Sequence, residues 1–358
     1  MAIKDLLDTA GLVTTYGSAI FADHVPDRTA SSVTLLEDAG YANVGKTNLH
    51  EFAYGITSEN PHFGTVPNPL ARNRIAGGSS GGSAAALAAD LADAALGTDS
   101  GGSIRIPAAC CGVVGFKPTF DLVATDGCFP LAPSFDHVGP LARSVEGCER
   151  MMEVLAPRYE RQELDSLEDL NVRTLWLDEA DPLVRVRVAE ATAHFPRATP
   201  AELPAPRETQ QLFMREVADV HRELYAEYAE LYGDDLAWKI DRCLEVTDAE
   251  VEGARVARDR YRELVEELLD GADLLLTPTL TCVAPRTGVG DLELRGTLIR
   301  CTYPFNVTGL PALALPCGPA EDGLPASVQL VGAAGADSLV LAAGRTLASL
   351  LRGKHRPG

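Results

Sequence analysis

Two serines in glycine-rich runs are the residues of this chain best suited to covalent chemistry. Ser79 lies in the run GGSSGGS at 77–83, and Ser103 ends the run GTDSGGS at 97–103, 24 positions further on. Glycine lets the backbone approach a ligand closely and turn its N–H groups towards it. A serine there can attack a carbonyl carbon if a base accepts its proton, and Lys4 is a candidate, since a lysine in a dry pocket can lose its charge. These residues predict a serine hydrolase that uses lysine instead of histidine.

Short apolar segments alternate with helical ones around the two serines. The pattern predicts a helix over 31–39 with Ser31 as its N-cap, followed by a strand over 41–44. An alanine-rich helix over 83–91, a buried strand over 92–96, a short helix opening at Ser103 and a strand over 113–116 are expected next. Such alternation is typical of a layered α/β fold.

The segment 146–271 has a different, mainly helical character. Apolar residues recur at helical spacing over 208–232 and are expected in the core or on a substrate-channel wall, and Thr247 with Glu250 forms a capping-box pattern. Strands return at 273–276, 311–315 and 326–331. We therefore expect one domain over 1–358, with a core from 1–145 and 272–350 and a helical insert between them.

Composition excludes several classes of function. The net charge of −20 argues against a nucleic-acid-binding surface, because phosphate backbones attract lysine and arginine. The eight cysteines form no C-x-x-C pair and the histidines are scattered, so we expect neither disulfides nor a metal site. No apolar run approaches the roughly 18 residues of a membrane span, and the first residues do not resemble a signal peptide. These features predict a cytoplasmic protein that acts on a small molecule; a homodimer stays open.

Two further motifs formally match other sites. Gly40-x-x-x-x-Gly45-Lys46-Thr47 fits the phosphate-binding P-loop pattern, but a helix precedes it and a strand fills its variable positions, which disfavours a nucleotide site. Gly77-x-Ser79-x-Gly81 fits the nucleophile elbow of α/β-hydrolases, with His137 beside Asp136 as base, but it lacks the preceding strand. Both are kept as weaker alternatives.

The stretch from Gly77 to Thr119, GGSSGGSAAALAADLADAALGTDSGGSIRIPAACCGVVGFKPT, resembles the signature of the amidase signature family almost without interruption. The segments AIKD at 2–5, GKTNLHEFA at 45–53, LTPT at 276–279, NVTGLPA at 306–312 and GLPASVQ at 323–329 are also similar to it. The resemblance covers about 1–145 and 272–350 and implies an α/β fold with a central mixed β-sheet covered by helices.

The resemblance also implies a catalytic arrangement without metal or organic cofactor. It assigns Ser103 as nucleophile, Ser79 as bridging serine after a cis peptide bond, and Lys4 as base on a short strand. The oxyanion hole would be formed by the backbone N–H groups of Ser100, Gly101, Gly102 and Ser103. The implied reaction is the hydrolysis of a carboxylic amide, through an acyl-enzyme, to a carboxylate and ammonia or an amine.

Other polar residues near the motifs are expected to support the site. The distance of Lys46 along the chain from Ser79 does not fit the base, so we expect Lys46 to be structural or to line the site. Asp99 and Arg105 are expected to hold the glycine loop.

The sequence departs from the family at its beginning, three residues before Lys4, where members usually carry a helical segment of several tens of residues. A strand at a chain terminus is expected to fray, so a non-catalytic remnant is one alternative. An A-type subunit of a glutamyl-tRNA amidotransferase, which passes ammonia to a partner protein, is another. The motif residues do not identify the amide substrate.

Overall fold

A computed structural model describes residues 1–353, and residues 354–358 of the predicted domain lie outside this range. Its strands in chain order are β1 (Ala2–Lys4), β2 (Gly45–Thr47), β3 (Glu59–Asn60), β4 (Gly64–Thr65), β5 (Ala94–Thr98), β6 (Val114–Lys117), β7 (Val138–Ala142), β8 (Asn171–Thr174), β9 (Arg197–Pro200), β10 (Leu274–Pro278), β11 (Ala312–Pro319) and β12 (Pro325–Val331). The helices are α1 (Ser31–Asp38), α2 (Gly81–Ala88), α3 (Arg105–Cys111), α4 (Val145–Leu155), α5 (Pro182–Thr192), α6 (Gln210–Tyr228), α7 (Asp234–Leu244), α8 (Asp248–Leu269), α9 (Asp291–Leu298), α10 (Pro304–Val307) and α11 (Asp337–Gly353).

Ten strands form one sheet in the order β2-β1-β5-β7-β6-β11-β12-β10-β8-β9. β1 is parallel to both β2 and β5, so the carboxyl ends of these three strands meet at one edge of the sheet. The pairings from β5 through β7, β6, β11 and β12 to β10 are antiparallel, whereas β10, β8 and β9 are parallel. The expected central mixed sheet is confirmed.

Helices cover both faces of this sheet because alternate strand residues point to opposite sides. Ile3, Leu96 and Leu313 belong to a buried apolar cluster with side chains from α1, α4, α5 and α11. Ala2 and Ala95 belong to a second cluster, formed with α2 and α3, and the long helices α6, α7 and α8 contribute to a third. The α/β layers expected from the sequence are therefore present.

β1 is an interior strand although it stands at the start of the chain. Ile3 is fully buried, and the terminal ammonium group donates a hydrogen bond to the carbonyl of Ala42. The N–H of Val44 donates to the carbonyl of Met1 at 2.9 Å. The strand that was expected to fray is thus enclosed by neighbours on both sides.

Two local predictions at the front of the chain are wrong. The strand begins at Gly45 rather than within 41–44, because Gly45 to Thr47 are the residues that pair with β1, while Val44 is 60% exposed. Ser31 is the first residue of α1 and not its cap; the N-cap position is Ala30, which offers no side-chain hydrogen bond.

The segment 146–271 contains more than the predicted helices. β8 and β9 lie within it and extend the sheet at one edge. Both strands have four residues with polar side chains among them, too short for a clear alternation to be read. The capping box at Thr247 and Glu250 is confirmed, since each side chain accepts from the other's backbone N–H.

No helix within residues 1–353 is long and apolar enough to span a membrane.

Candidate active site

The side chain of Lys4, the last residue of β1, is fully buried at the sheet edge where β1 and β5 end. Its Nζ donates to Ser79 Oγ at 2.7 Å and to Thr98 Oγ1 at 2.6 Å. Removal from water lowers the pKa of Lys4 to about 7, although nearby groups, among them the Asp99 and Asp136 carboxylates, oppose the shift. Lys4 can therefore be neutral and accept a proton near pH 7.

Ser79 is fully buried in the loop that leads into α2 and follows a cis peptide bond between Gly78 and Ser79, as the resemblance implies. Its carbonyl accepts hydrogen bonds from Ser58 Oγ and from the N–H of His50, both at 3.2 Å. A Cβ at position 78 would come within 2.9 Å of the backbone of Ile56, so the close approach requires glycine there.

Ser103 is the last residue of the second glycine run and is only 6% exposed. The carbonyl of Ser103 accepts a hydrogen bond from the N–H of Ser80 at 3.1 Å. The backbones of the two glycine loops are thus joined directly after Ser79. Lys4 and Ser79 are in side-chain contact, whereas Ser103 is linked to this region through its backbone, and no hydrogen bond joins Ser79 Oγ to Ser103 Oγ within residues 1–353.

The amide groups of the second loop differ in their availability. The N–H of Gly102 donates to Asp99 Oδ1 at 2.7 Å, in contrast with the oxyanion role expected for it. The N–H groups of Ser100, Gly101 and Ser103 have no hydrogen-bond acceptor within residues 1–353. These three amides can receive a developing negative charge, whereas that of Gly102 is engaged in holding the loop.

A buried ion pair anchors this loop, as expected for Asp99 and Arg105. Arg105 Nε and Nη2 donate to the two Asp99 oxygens at 3.0 and 2.9 Å, and both side chains are fully buried. Burial alone would raise the pKa of Asp99, but the charge of Arg105 and its hydrogen bonds hold that pKa well below the ordinary value. Asn306 Oδ1 and Gln329 Oε1 accept further hydrogen bonds from Arg105, at 2.6 and 2.8 Å.

Ser100 contributes a side-chain contact as well as its amide. Its Oγ donates to Asp136 Oδ1 at 2.5 Å, and the same carboxylate accepts from the N–H groups of Leu131 and Ala132. Burial raises the pKa of Asp136, although these hydrogen bonds oppose the shift. The contact fixes the start of the glycine loop against the segment 131–136.

The sequence patterns assigned no role to three further residues of the site, Thr98, Asn306 and Gln329. Thr98 directly precedes the recognised Asp99, and Asn306 and Gln329 lie in the segments NVTGLPA and GLPASVQ. Their polar side chains within apolar strand and helix segments were the signal available. Only the fold brings residues some 200 positions away to Arg105 and Asp99.

Lys46 does not take the place of Lys4. Its Nζ donates to the carbonyl of Leu7 and to the hydroxyls of Thr9 and Thr14, and Asp5 Oδ1 lies 3.5 Å away. These contacts hold the segment that follows β1. The P-loop alternative has no support here, because residues 45–47 form a strand instead of the loop that precedes a helix.

His137 is buried away from solvent and is engaged in structural contacts. Its Nδ1 lies 2.7 Å from the carbonyl of Phe135, and its Nε2 lies 3.1 Å from Lys117 Nζ. No hydrogen bond joins it to Ser79 or Ser103 within residues 1–353. Desolvation and the neighbouring Lys117 charge hold the pKa of His137 well below its usual range. The geometry of a nucleophile elbow with His137 as base is therefore not present.

A cavity of about 240 Å³ adjoins the glycine loop at Gly101. Phe213, from the apolar stripe predicted as a core or channel wall, lines it together with Tyr54 and Tyr303. This space can receive the organic part of a small substrate. In the described part of the chain, no group of three or more His, Cys, Asp or Glu side chains is arranged to hold a metal ion.

Comparisons with known proteins identify the family of the chain. The family model described as Amidase matches residues 1–211 and 183–341. The chain is 36% identical to the A-type subunit of the glutamyl-tRNA(Gln) amidotransferase of Haloarcula marismortui, over 97% of this chain and 94% of that protein. It is 35% identical to a 1-carboxybiuret hydrolase subunit of Pseudomonas sp. (strain ADP), over 97% and 82% of the two chains.

A solved structure described as an amidase superposes on this chain with a TM-score of 0.89 and 35% identity, covering 98% of this chain and 83% of the other. The matches in sequence and in structure both span nearly the whole chain. This chain therefore belongs to the amidase signature family and is an amidohydrolase.

Proposed function

We propose that the protein hydrolyses a linear carboxylic amide through an acyl-enzyme on Ser103, with Ser79 as proton relay and Lys4 as base. The observation that carries the proposal is the 2.7 Å hydrogen bond from the fully buried Lys4 Nζ to Ser79 Oγ. Among residues 1–353, Lys4 has no carboxylate partner at hydrogen-bond distance that would explain its burial. Desolvation lowers the pKa of a lysine, so that its neutral amine is available to accept a proton near neutral pH.

The first chemical step moves one proton through the relay. Ser103 Oγ forms a bond to the amide carbon and gives its proton to Ser79 Oγ, which passes its own proton to neutral Lys4. The carbonyl oxygen becomes an oxyanion as its π bond opens. At a pKa of about 7, a large fraction of Lys4 is neutral at physiological pH, whereas an ordinary lysine near 10.4 would be almost fully charged.

The developing oxyanion would be met by backbone N–H groups. Those of Ser100, Gly101 and Ser103 are available, and removing a single such donor in an acyl-transfer site costs on the order of 100-fold in rate. The ion pair of Asp99 and Arg105 holds the loop in place, so its N–H groups are oriented before the substrate binds. We assign no oxyanion contact to the N–H of Gly102, since Asp99 accepts it.

Collapse of the tetrahedral intermediate breaks the carbon–nitrogen bond. Lys4 returns its proton through Ser79 to the departing nitrogen, which leaves as ammonia or an amine. A water molecule then attacks the Ser103 ester along the same relay and releases the carboxylate. Lys4 takes a proton from this water through Ser79, and Ser103 Oγ regains a proton as the ester bond breaks. One water molecule is consumed in each cycle, and Lys4, Ser79 and Ser103 return to their starting protonation states.

A serine-directed fluorophosphonate followed by peptide mapping tests this proposal. We expect the label on Ser103, its loss in Ser103→Ala with an unchanged circular dichroism spectrum, and much slower labelling in Lys4→Met. Lys46→Met is the matched control, because it removes a partly buried lysine amine from the neighbouring strand without touching the relay. A label on Ser79, as a nucleophile elbow requires, or no label on folded protein, as a non-catalytic remnant requires, would contradict the assignment.

A second candidate is an A-type subunit of a glutamyl-tRNA amidotransferase. The 36% identity to the Haloarcula marismortui protein of that name, over almost the full length of both chains, favours it. Such a subunit would pass ammonia to a partner and would be slow alone, and it would chiefly accept glutamine or asparagine. Rapid hydrolysis of simple amides by the isolated chain would decide for the stand-alone amidase, while ammonia release confined to glutamine or asparagine would decide for the subunit.

A further inference from the structure

The cavity beside Gly101 carries a single formal charge on its wall. Besides the aromatic rings of Tyr54, Phe213 and Tyr303, it is lined by the guanidinium-bearing side chain of Arg295 on α9, and by no carboxylate from residues 1–353. An apolar, aromatic space with one guanidinium suits a small organic anion, because the rings receive its carbon chain and the cation its negative end.

Arg295 differs from two other arginines near the site because no carboxylate of residues 1–353 lies at ion-pair distance from it. Arg105 is paired with Asp99, and Arg300 is paired with Glu179. Within residues 1–353, Arg295 forms no ion pair or hydrogen bond through its side chain; its guanidinium carbon lies 5.0 Å from the centre of the Tyr54 ring. Stacking on an aromatic ring positions a guanidinium while leaving its N–H donors free for a ligand.

An acidic residue on the same helix, Asp291, makes its direct contacts elsewhere, although the charge of Arg295 is among those that lower its pKa. Asp291 Oδ2 lies 2.5 Å from Lys239 Nζ, and Asp291 Oδ1 accepts from the N–H of Ile56. Asp291 does not line the cavity of Arg295. The positive charge of Arg295 is therefore available in a protein whose net charge of −20 otherwise repels anions.

We infer that Arg295 selects substrates in which the acyl group ends in a carboxylate, so that the preferred substrate is the monoamide of a short dicarboxylic acid. This inference rests on the proposed amide hydrolysis and specifies its substrate class. Two N–H groups of Arg295 match the two carboxylate oxygens. An α-ammonium group, as in glutamine, finds no carboxylate on the cavity wall formed by residues 1–353, so glutamine binds less well than the same acid without its amino group.

Three amides of matched length separate these contributions. Pentanamide, glutaric acid monoamide and glutamine share the reacting amide. Glutaric acid monoamide has a carboxylate where pentanamide has its terminal methyl group, and glutamine has an additional α-ammonium group. For the full chain we expect kcat/KM to be about 10- to 100-fold higher for glutaric acid monoamide than for pentanamide, mainly through KM. We expect glutamine to be the poorer of the two anionic-end substrates.

Variants at position 295 test the assigned residue. Arg295→Gln should remove the preference, so that the ratio of kcat/KM for glutaric acid monoamide to that for pentanamide falls to about 1, and Arg295→Lys should restore part of the ratio. Arg222→Gln, a change of an arginine whose side chain is 54% exposed on α6, is the control and should retain the full preference. Equal values for the two amides in the unmodified protein, or an Arg295→Gln variant that keeps the preference, would overturn the inference.

A binding measurement separates this failure from failure of the proposed reaction. Calorimetry on Ser103→Ala should detect tighter binding of glutaric acid monoamide than of pentanamide, and the difference should vanish in Ser103→Ala/Arg295→Gln. Preferential binding without turnover by the unmodified protein would refute the reaction and retain the anion site. Turnover with no preference in either measurement would refute the anion site alone.

Discussion

Arg105 and Asp99 form a two-point ion pair that is wholly enclosed by the protein, with N–O distances of 3.0 and 2.9 Å. Asp99 precedes the glycine loop and Arg105 follows it, so the ion pair holds the two ends of the loop together. Asp99 also accepts the N–H groups of Gly102 and Ile104. The position of Ser103 thus depends on a charge pair to which the proposed reaction assigns no chemical step.

Replacing Arg105 by lysine should be strongly destabilising. Lysine keeps the positive charge but has three N–H donors, whereas Arg105 donates five hydrogen bonds, to Asp99, Thr302, Gln329 and Asn306. Removing one partner of a buried pair typically costs about 3–5 kcal/mol, and we expect a loss approaching that range. Urea denaturation measures the loss in the free energy of unfolding. Arg197→Lys, in an exposed pair with Asp169, should change it far less, and similar losses in the two variants would contradict this account.

The pH profile should report the lysine base. Lys4 accepts a proton only when it is neutral, and its pKa is lowered to about 7, so kcat/KM should rise with pH and level off above pH 7 to 8. Initial rates on a neutral amide between pH 5 and 9 measure this limb. A rate that still climbs tenfold per pH unit at pH 9 would mean that Lys4 keeps its ordinary pKa.

Thr98 is expected to act as a positioning residue for Lys4. Its Oγ1 accepts from Lys4 Nζ at 2.6 Å, and this contact favours the charged amine. Thr98→Val should lower kcat by roughly tenfold and move the acid limb of the profile to lower pH, with KM little changed. Thr98→Ser retains the hydroxyl and should restore both quantities; an unmoved limb in Thr98→Val would assign the residue a packing role only.

Gly102→Ala should damage both stability and activity. The residue has a φ of +132°, which side chains rarely adopt, and a Cβ there would lie 2.3 Å from Thr302 Oγ1. Strained backbone of this kind costs about 1–3 kcal/mol, and the amides of the loop would shift with it. Gly253→Ala on α8 is the matched control: nothing lies within 4 Å of its added Cβ, and thermal melting should show it unchanged or more stable.

The features of the site that involve residues near each other in the sequence were predictable, whereas the other features depend on the fold. Ser79 and Ser103 were recognisable because glycine is needed where two backbone segments come into van der Waals contact. The glycines that meet this need stand directly beside the two serines in the sequence. The helix that begins after Thr247 was predictable for a similar reason, since its capping box involves neighbours only. The candidate roles of the two serines and Lys4 remain predictions about chemistry.

Long-range relationships were not predictable in this way. The strand β2 was misplaced by a few residues because its bounds are set by pairing with β1, which lies some 43 positions earlier. β8 and β9 were missed since short edge strands with polar residues carry little periodicity. The partners of Arg105 and the engagement of the Gly102 amide by Asp99 likewise depend on geometry that no local pattern encodes.

The placement of Lys4 on an interior strand has a consequence for how such an enzyme would fail. β1 is hydrogen-bonded to β2 on one side and β5 on the other, so the strand that carries this fully buried amine keeps its place unless the sheet opens. Inactivation on heating should therefore coincide with the cooperative melting of the whole molecule, and no folded but inert species should accumulate before it.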